Sequence, residues 1–460
     1  MVVVGDTLLD RDVDGAVERL CPDAPAPVLN ERSALERPGG AGLAAVLAAR
    51  YGGDVVLVTA LADDAGGACL SELLSAAGVK VYALPMRGAT PEKVRLRADG
   101  RVMLRLDRGG APGAVGEAPD AALAALRDAT AILVSDYGRG LVRQPDLRAA
   151  LGRASAPVVW DPHPRGPAPV PGVRLATPNE AEVRRLASAG SSGSEVDGGS
   201  RIAVATAGAQ ELRRRWRAGA VAVTMGADGA LLCHAGPTPL VVPASVVDGG
   251  DACGAGDSFA AAVTVALAGG ELMSRAVEQA VRDATAYVSS SLLSSSSPRP
   301  SPGGVGRDAA GEVLSRVRAA GGQVVATGGC FDLLHAGHVA TLEAARRLGD
   351  CLVVCLNSDA SVRGLKGPER PVVGEADRAR LLAALGCVDA VVVFDESTPE
   401  AVLTWLRPDV WVKGGDYGSD AAELPEADLM RRWGGQAVLV PYLDGRSTST
   451  MIAAAREGAR

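Results

Sequence analysis

Two short stretches of the sequence place chemically active side chains just before a predicted apolar helix. The first runs from Asp251 to Asp257 and contains Gly254, Ala255 and Gly256. Backbone N–H groups can converge at such a glycine-bearing turn, and the N-terminus of the following helix adds positive charge, so the turn can bind an anion. The Asp257 carboxylate could take the proton of a substrate hydroxyl that attacks a γ-phosphate. The stretch therefore predicts phosphate transfer, with a turn that only begins a helix as the alternative.

The second stretch holds two of the four histidines of the chain, His335 and His338, three residues apart. They follow a predicted strand and stand at the start of a predicted helix, and Gly337 between them leaves room for a phosphate. Imidazoles at this position can stabilise charge on a transferring phosphoryl group and on pyrophosphate. A zinc site is not predicted, because no third ligand occurs at a suitable spacing.

The elements that must position the first stretch alternate between short apolar runs and Ala/Leu-rich segments. Helices are predicted over residues 42–51, 120–129 and 258–268. Strands are predicted over residues 2–4, 55–60, 131–135, 157–160, 220–225 and 230–233. This β–α alternation predicts a mostly parallel sheet with helices on both faces.

One segment has a different pattern, with apolar and polar residues alternating strictly over residues 93–106. The alternation is interrupted by Asp99-Gly100, a dipeptide typical of two-residue hairpin turns. We therefore predict a β-hairpin that projects from the main sheet as a lid.

A Ser/Pro/Gly-rich segment over residues 289–306 has a composition that cannot form a core and indicates a linker. A connecting helix is predicted over 308–320, and a second α/β pattern begins at Gln323. Its predicted strands are 324–327, 351–357, 390–394, 410–412 and 437–441. We predict a larger domain over 1–290, a linker with its helix over 291–321, and a smaller domain over 322–460.

The motifs of the first domain, in their order and spacing, resemble those of the ribokinase-like (PfkB) carbohydrate kinases. The resemblance is carried by residues 38–42, 177–182, 223–229 and 251–257. It implies a doubly wound α/β domain with a hairpin lid, in which Asp257 is the catalytic base and Gly254–Gly256 form the anion hole. It also implies ATP as co-substrate, with Mg²⁺ bound through Glu182.

The same resemblance implies two further sets of binding residues. The ATP-binding set is Asn179, Glu180, Ala181, Glu182, Thr224, Gly226, Gly254, Ala255 and Gly256. The sugar-binding set is Asp6, Asp10, Gly39, Gly40, Lys93, Arg95 and Arg105. The sequence departs from the family at two positions, with Leu43 where Asn is usual and Cys253 where Thr is common.

The His-x-Gly-His pattern of the second domain resembles the nucleotidyltransferases, which implies a Rossmann-like fold. His335, His338 and Lys366 would then be catalytic. The implied nucleotide- and phosphate-binding residues are Cys330, Phe331, Asp332, Asn357, Asp359, Arg378, Lys413, Gly414, Asp416, Ser447, Thr448 and Ser449. An attacking phosphate oxygen is already ionised at neutral pH, so positioning, charge stabilisation and Mg²⁺ suffice without a strong base.

The fusion of the two domains resembles the bifunctional heptose 7-phosphate kinase / heptose 1-phosphate adenylyltransferase family. Residues 4–6, 9–11, 36–41, 135–137, 161–162 and 365–372 carry this narrower resemblance. It implies phosphorylation of D-glycero-β-D-manno-heptose 7-phosphate at O1, and AMP transfer from ATP to the 1-phosphate. We further hypothesise that Lys93, Arg95 and Arg105 help to hold the 7-phosphate.

Two alternatives remain open at this point. Leu43 could mark a kinase domain that only binds a sugar phosphate or mediates dimerisation, leaving the adenylyltransferase as the one activity. The substrates could instead be a different pair, such as CTP and a polyol phosphate.

Bulk properties exclude other classes of function. The net charge of −7 over 460 residues offers no support for nucleic-acid binding. No apolar run reaches the roughly 18 residues of a membrane span. The eight cysteines are scattered without a CxxC pair, so a disulfide framework is not expected. We expect small-molecule substrates, a homodimer and a cytoplasmic location. The sequence begins inside a predicted strand, so a short leader before Met1 stays open.

Overall fold

The structure is a computed structural model. It describes residues 1–98, 101–110, 113–189, 199–245, 252–289, 303–415 and 424–441. Several predicted features lie outside these described residues. They are the turn at Asp99-Gly100, most of the linker, Asp251, Asp416, and the last predicted helix with Ser447, Thr448 and Ser449.

The chain forms two compact units. The first comprises Met1–Leu186, Leu212–Ala222 and Gly249–Leu292. The second comprises Ala187–Glu211, Val223–Asp248 and Leu293–Arg460. Both units therefore draw on segments that are separated in the sequence.

Thirteen strands and eight helices are described before residue 290. The strands are β1 (Val2–Gly5), β2 (Thr7–Leu20), β3 (Pro27–Gly40), β4 (Val56–Ala62), β5 (Lys80–Met86), β6 (Glu92–Ala98), β7 (Arg101–Arg108), β8 (Ile132–Ser135), β9 (Val158–Asp161), β10 (Leu175–Ala176), β11 (Ala220–Thr224), β12 (Ala230–Cys233) and β13 (Leu240–Val242). The helices are α1 (Ala41–Ala49), α2 (Ala65–Ala76), α3 (Asp120–Arg127), α4 (Pro145–Gly152), α5 (Glu180–Ser188), α6 (Arg201–Trp216), α7 (Ala255–Ala268) and α8 (Met273–Ser289).

The main sheet of the first unit is parallel, in the order β11-β10-β9-β8-β1-β4-β5. Its central strands β1 and β8 are buried at every residue, as expected for apolar strands covered on both faces. Helix α7 packs on α1 and α8 beside this sheet. The predicted doubly wound α/β fold is confirmed, and the predicted strands agree with the observed ones to within two residues at each end.

A second sheet of four strands, in the order β3-β2-β6-β7, forms the lid. The predicted hairpin is present as the antiparallel pair β6–β7. The sequence analysis missed β2 and β3, which pair antiparallel over their whole length, with β2 parallel to β6. Charged residues occupy alternate positions of β2, among them Asp10, Asp12 and Asp14, so no apolar run marked it as a strand.

After residue 303 the structure describes six strands and six helices. The strands are β14 (Gly304–Val305), β15 (Val324–Gly329), β16 (Cys351–Asn357), β17 (Ala390–Phe394), β18 (Val410–Gly414) and β19 (Gln436–Val440). The helices are α9 (Arg307–Ala319), α10 (Ala336–Arg346), α11 (Asp359–Lys366), α12 (Glu375–Ala383), α13 (Glu400–Leu406) and α14 (Ala427–Arg431).

These six strands pair in parallel in the order β14-β17-β16-β15-β18-β19, inside the second unit. The five predicted strands are confirmed, and the two-residue strand β14 was not predicted. Helices α9, α13 and α14 pack on one face of the sheet, around Trp411, which is fully buried. Because parallel strands end at one edge of a sheet, the C-terminal ends of β15, β16 and β18 lie together. Among the described residues, no helix has the length and apolarity needed to cross a membrane.

Candidate active sites

The first candidate site is built at the N-terminus of α7. Gly254 caps this helix with φ 90°, a conformation that residues with a Cβ rarely adopt. A Cβ at Gly254 would come within 2.7 Å of both Leu43 Cδ2 and the Tyr287 hydroxyl. Leu43, the departure from the family pattern, thus borders the anion-hole turn. It forms an apolar wall there in place of an amide.

Asp257 lies in the first turn of α7 and is 5% exposed. Burial raises its pKa to about 7, opposed by a hydrogen bond from Tyr137 and the charge of Lys93, while Asp10 raises it further. The Tyr137 hydroxyl donates to Oδ1 at 2.9 Å and to Oδ2 at 2.8 Å. A carboxyl group that titrates near neutral pH is suited to act as a general base.

Asp6 and Gly40 shape the loop that carries Tyr137. The Asp6 carboxylate accepts hydrogen bonds from the backbone N–H groups of Tyr137, Arg139 and Leu141. Gly40 has φ 60°, and a Cβ there would lie 2.5 Å from the Asp6 carbonyl and 3.3 Å from the Tyr137 ring. These two residues, predicted to bind sugar, are therefore occupied in positioning a loop.

Asp10 and Arg95 meet in a buried charge cluster. Arg95 Nη1 lies 3.5 Å from Asp10 Oδ1 and 3.3 Å from Asp12 Oδ1. Its other nitrogen, Nη2, lies 2.8 Å from the Cys253 sulfur. Gly39 leaves room for Asp10, since a Cβ would lie 2.7 Å from Asp10 Oδ2. The positive charge of Arg95 is thus neutralised within the protein by neighbouring carboxylates, without a bound sugar phosphate.

The other two basic residues of the lid differ in exposure. Lys93 is half-buried, with Nζ 5.0 Å from the centre of the Tyr137 ring, and burial lowers its pKa. Arg105 is exposed and forms a bidentate ion pair with Asp107, at 2.7 and 2.9 Å. The structure therefore brings Lys93, but not Arg105, towards Asp257, and a three-residue phosphate clamp stays a prediction.

Asn179 and Glu182 form a reciprocal cap on α5. The Asn179 N–H donates to Glu182 Oε2 at 2.8 Å, and the Glu182 N–H donates to Asn179 Oδ1 at 2.9 Å. This is the geometry of a capping box, which satisfies backbone donors at a helix start. Glu180 pairs with Arg184 on the same helix, and Ala181 is exposed. The ATP-binding prediction for this motif is neither strengthened nor weakened by the cap.

A second carboxylate, that of Asp161, lies near Glu182. Burial raises its pKa well above the ordinary value, the charges of Glu182 and Asp257 raise it further, and the Thr177 hydroxyl donates to it at 2.9 Å. Burial also raises the pKa of Glu182, and two neighbouring carboxyl groups held towards their neutral forms suit a nearby cation. Among the described residues, no three His, Cys, Asp or Glu side chains form a metal cage. The donor set fits an Mg²⁺ ion that takes most of its ligands from ATP and water.

The remaining predicted ATP contacts fall in the second unit. Thr224 ends β11, and Gly226 begins a short 3-10 turn with φ 64°. The positive φ explains why glycine is needed at this strand–turn–strand position.

The second candidate site lies where β15 leads into α10. His335 caps α10, and its Nδ1 accepts from the His338 N–H at 3.4 Å, so its proton lies on Nε2. The two imidazoles stack at 3.8 Å. Burial and the charge of His335 lower the pKa of His338 to about 4. His338 is therefore neutral at pH 7 and carries no positive charge there.

Arg378 is fully buried and makes its contacts within the protein. Nη1 donates to the carbonyls of Cys330 at 2.6 Å and Asn357 at 2.9 Å. Nε donates to the Val373 carbonyl at 2.9 Å, and Nη2 pairs with Asp359 at 2.7 Å. Arg378 thus ties the ends of β15 and β16 to α11, which positions the loops around the histidines.

The loop between β15 and α10 holds three predicted contacts. Phe331 adopts φ 44°, and its ring lies 5.2 Å from that of His338. Asp332 is buried, and hydrogen bonds from Val373, Arg370 and Val372 outweigh burial and lower its pKa. The Cys330 sulfur lies 3.9 Å from Asn357 Oδ1. These side chains converge around the helix start, and their predicted role in binding the nucleotide stays a prediction.

Two lysines were predicted to neutralise phosphate charge. Lys366 is exposed at the end of α11 and is close enough to Cys330 to oppose the burial that raises the thiol's pKa. Lys413, followed by Gly414 at the end of β18, has its Nζ 3.1 Å from Glu426 Oε1. Glu426 is 5% exposed, and the sequence analysis missed it because no motif contains it.

Comparisons with known proteins match both halves of the chain. The family model described as pfkB family carbohydrate kinase matches residues 1–300, and the one described as cytidylyltransferase-like matches residues 326–451. The Bifunctional protein HldE of Streptomyces coelicolor is 55% identical over 464 residues, covering 100% of this chain and 97% of that protein.

More distant relatives also match along the whole length. The Bifunctional proteins HldE of Azorhizobium caulinodans and Caulobacter vibrioides are 37% and 36% identical, covering 99% and 98% of this chain and 98% and 96% of theirs. Full-length similarity at this level extends across both candidate sites. The chain therefore belongs to the HldE family of bifunctional proteins, as a carbohydrate kinase and a nucleotidyltransferase in one polypeptide.

Proposed function

We propose that this chain makes ADP-heptose in two ATP-dependent steps. The first phosphorylates D-glycero-β-D-manno-heptose 7-phosphate at O1, and the second transfers AMP from ATP to D-glycero-β-D-manno-heptose 1-phosphate, releasing pyrophosphate. The observation that carries the proposal is the presence of both sites, at Asp257 and at His335–His338, in a chain 55% identical to an HldE protein along its length.

In the kinase step, Asp257 would accept the proton of the O1 hydroxyl while that oxygen attacks the γ-phosphorus. Its pKa of about 7 lets a large fraction be ionised at neutral pH. The new bond joins O1 to phosphorus, and the bond from phosphorus to the departing ADP breaks. The N–H groups of the Gly254 turn and the N-terminus of α7 would stabilise the transferring group.

Mg²⁺ fits this site through Glu182, with Asn179 organising the phosphates. When bound, the ion would neutralise negative charge on the phosphates. The charge of Glu182 raises the pKa of Asp161, and burial raises that of Glu182. A cation between ATP and the protein would favour the ionised form of both carboxylates, which supports this assignment.

In the transferase step, a phosphate oxygen of heptose 1-phosphate would attack the α-phosphorus of ATP, and the bond to pyrophosphate would break. His335 Nε2–H would donate a hydrogen bond to the reacting phosphates, while neutral His338 stacks on His335 and donates its own N–H to the Leu333 backbone. Lys366 and Lys413 would supply positive charge, and Arg378 would hold the surrounding loops.

The proposal is tested by incubating the purified chain with ATP, Mg²⁺ and heptose 7-phosphate, and identifying products by mass. Without a phosphatase, we expect heptose 1,7-bisphosphate and ADP. With a phosphatase that removes the 7-phosphate, we expect ADP-heptose and pyrophosphate. If ADP-heptose formed from added heptose 1-phosphate but no bisphosphate appeared, only the adenylyltransferase would be active.

The narrower assignments are part of the same proposal. They comprise ATP rather than CTP as the nucleotide, a homodimer, a cytoplasmic location, and domain boundaries at residues 290 and 322. A nucleotide panel with heptose 1-phosphate checks the first of these. Substituting Lys93, Arg95 and Arg105 together by Ala checks the 7-phosphate hypothesis, since an unchanged KM for the sugar phosphate would contradict it.

A further inference from the structure

Residues assigned to sugar binding from the sequence converge on one side chain outside that assignment, Tyr137. Asp6 accepts the Tyr137 backbone N–H at 3.2 Å, and Gly40 leaves the space beside its ring. Lys93 places its ammonium group 5.0 Å from the centre of that ring. The phenol oxygen then lies 2.8 and 2.9 Å from the two carboxylate oxygens of Asp257.

We propose that Tyr137 is a positioning residue of the kinase, whose hydroxyl orients the Asp257 carboxylate for proton transfer from the sugar. The inference rests on the proposed kinase function for its role in catalysis. The contact itself is independent of which sugar is used.

The bifurcated hydrogen bond explains how the Asp257 carboxylate can be oriented and still accept a proton from the substrate. Tyr137 donates one proton to two acceptor oxygens at nearly equal distances, so either oxygen can be given up. An incoming O1–H would take one oxygen, and Tyr137 would keep the other. The substrate proton then passes to Asp257, and the Tyr137 proton stays on the phenol, whose pKa burial and Asp257 raise well above the ordinary value.

Asp257 has few other groups that could orient it. The charged and titratable groups that face it from the neighbouring elements are Lys93 on β6, Asp10 on β2 and Asp161 at the end of β9, besides Tyr137 after β8. None of the other three makes a hydrogen bond to Asp257 that the structure records among the described residues. Orientation of the carboxylate therefore falls to the tyrosine.

The test compares Tyr137→Phe with a matched control, Tyr51→Phe. Tyr51 also donates its hydroxyl to an aspartate, Asp283, at 2.6 Å, but on the surface. For Tyr137→Phe we expect kinase kcat to fall about 10-fold with the KM for the sugar phosphate changed less than about 3-fold, since a hydrogen bond to a charged group is lost. Tyr51→Phe should leave both values unchanged.

A second readout does not need the sugar. In protein labelled with ¹³C at the aspartate carboxyl carbons, the Asp257 signal is the one that Asp257→Asn removes, and its titration midpoint can be followed by NMR. Tyr137→Phe should raise this midpoint by about one pH unit, because the lost hydrogen bond favoured the ionised form. The acid limb of the kinase pH profile should move by the same amount.

The outcomes separate the inference from the proposed function. An unchanged midpoint together with unchanged kcat in Tyr137→Phe overturns the positioning role. A moved midpoint in a chain that does not phosphorylate heptose 7-phosphate supports the coupling of Tyr137 to Asp257 and overturns the proposed substrate instead. A fall in thermal stability with an unmoved midpoint would assign Tyr137 to packing, which also overturns the inference.

Discussion

At the scale of single residues, burial acts in opposite directions on the two candidate sites. It raises the pKa of Asp257 to about 7 and lowers that of His338 to about 4, because removal from water disfavours the charged form of either group. The consequence differs between the two reactions. In the proposed scheme the kinase step would depend on a carboxylate that must ionise, whereas the imidazole of His338 beside the transferase step is already neutral.

The two activities should therefore respond differently to acid. Kinase kcat/KM should fall as the pH drops through about 7, since Asp257 accepts a proton only when ionised. The transferase should show no loss from His338 protonation until the pH approaches about 4. Initial rates of the two half-reactions from about pH 5 to about pH 9 check this. A kinase profile that stays flat down to about pH 5 would contradict the assignment of Asp257 as base.

Removing the Asp257 carboxylate should separate the activities. Asp257→Asn keeps the shape of the side chain but cannot accept the proton, so kinase kcat should fall by about 10² to 10⁴-fold. Transfer of AMP to added heptose 1-phosphate by the same preparation serves as the control for folding. Retention of more than about a tenth of the kinase rate would show that another group takes the proton.

The sequence analysis singled out residues whose types and motifs suggested a role. Asp257, His335 and His338 are of this kind. Tyr137 lies in the motif of residues 135–137 but was given no role, and Glu426 lies in no motif; both reach their partners through tertiary contacts. Arg378 follows Asp377 at a predicted helix start, so the sequence suggested a cation facing a nucleotide. Its full burial could not be read from the sequence, since it depends on the loops that close around it.

At the scale of elements, the sites depend on how strand ends are joined. Arg378 connects β15, β16 and α11 through backbone carbonyls and one carboxylate. Asp6 likewise holds the loop after β8 in position through backbone N–H groups. In both cases a buried charge is fully engaged with loop backbone. Such contacts fix loop positions to a fraction of an ångström, which catalysis by positioning requires.

Replacing Arg378 should therefore lower the transferase activity and leave the kinase activity unchanged. Arg378→Lys retains the charge but cannot reproduce the planar set of donors, which leaves buried carbonyls unpaired at a cost of about 2 to 4 kcal/mol. We expect the rate of AMP transfer to fall more than about 10-fold and thermal unfolding to begin at a lower temperature. Arg380→Lys, exposed on the same helix, is the matched control. Equal AMP-transfer rates and equal unfolding temperatures in the two variants would contradict a positioning role for the buried Arg378.

The turn before α7 offers a similar test in the kinase. Gly254→Ala places a Cβ at φ 90° and 2.7 Å from Leu43 and Tyr287, so about 1 to 3 kcal/mol of strain should displace the anion hole. Kinase kcat should fall by at least about 10-fold. Gly152→Ala, exposed at the end of α4 with open space around it, should be neutral. Full activity of Gly254→Ala would argue against an anion hole in this turn.

The buried strands were predicted from the sequence, whereas two strands of the lid sheet were not. Strands β1, β8 and β16 are continuous apolar runs and were found within two residues, whereas β2 and β3 were missed. Both faces of the first group are covered, so these strands are apolar up to their last residues, Gly5, Ser135 and Asn357. The missed strands carry charged residues that pair with each other across the lid, which leaves no apolar run to detect.

At the scale of the whole molecule, the compact units do not follow the order of the sequence. Residues 187–211 and 223–248 belong to the second unit, although their pattern continues that of the first domain. No local signal distinguishes such segments, because their assignment depends on which neighbours they pack against. The family matches, in contrast, are continuous over 1–300 and 326–451.

The lid sheet exposes apolar side chains that bear on the predicted homodimer. Val102, Met103, Leu104 and Leu106 of β7 are between 42% and 57% exposed. A cluster of this kind on an edge strand indicates an association surface. Light scattering should give a mass near twice 46.6 kDa, and the double substitution Leu104→Lys and Leu106→Lys should reduce it towards a single chain. A single-chain mass for the unmodified protein would contradict the dimer.

The reciprocal cap between Asn179 and Glu182 has a consequence for surveys of genomes. The same atoms that would serve ATP and its cation also begin α5, so selection for a well-formed helix alone would preserve both residues in a lineage that had ceased to phosphorylate sugars. Asp257 has no comparable second task among the residues that the structure describes, where the hydrogen bonds recorded for its carboxylate come from the Tyr137 phenol. Among relatives, a chain that has lost its kinase activity would thus be expected to lose Asp257 before it loses Asn179 or Glu182.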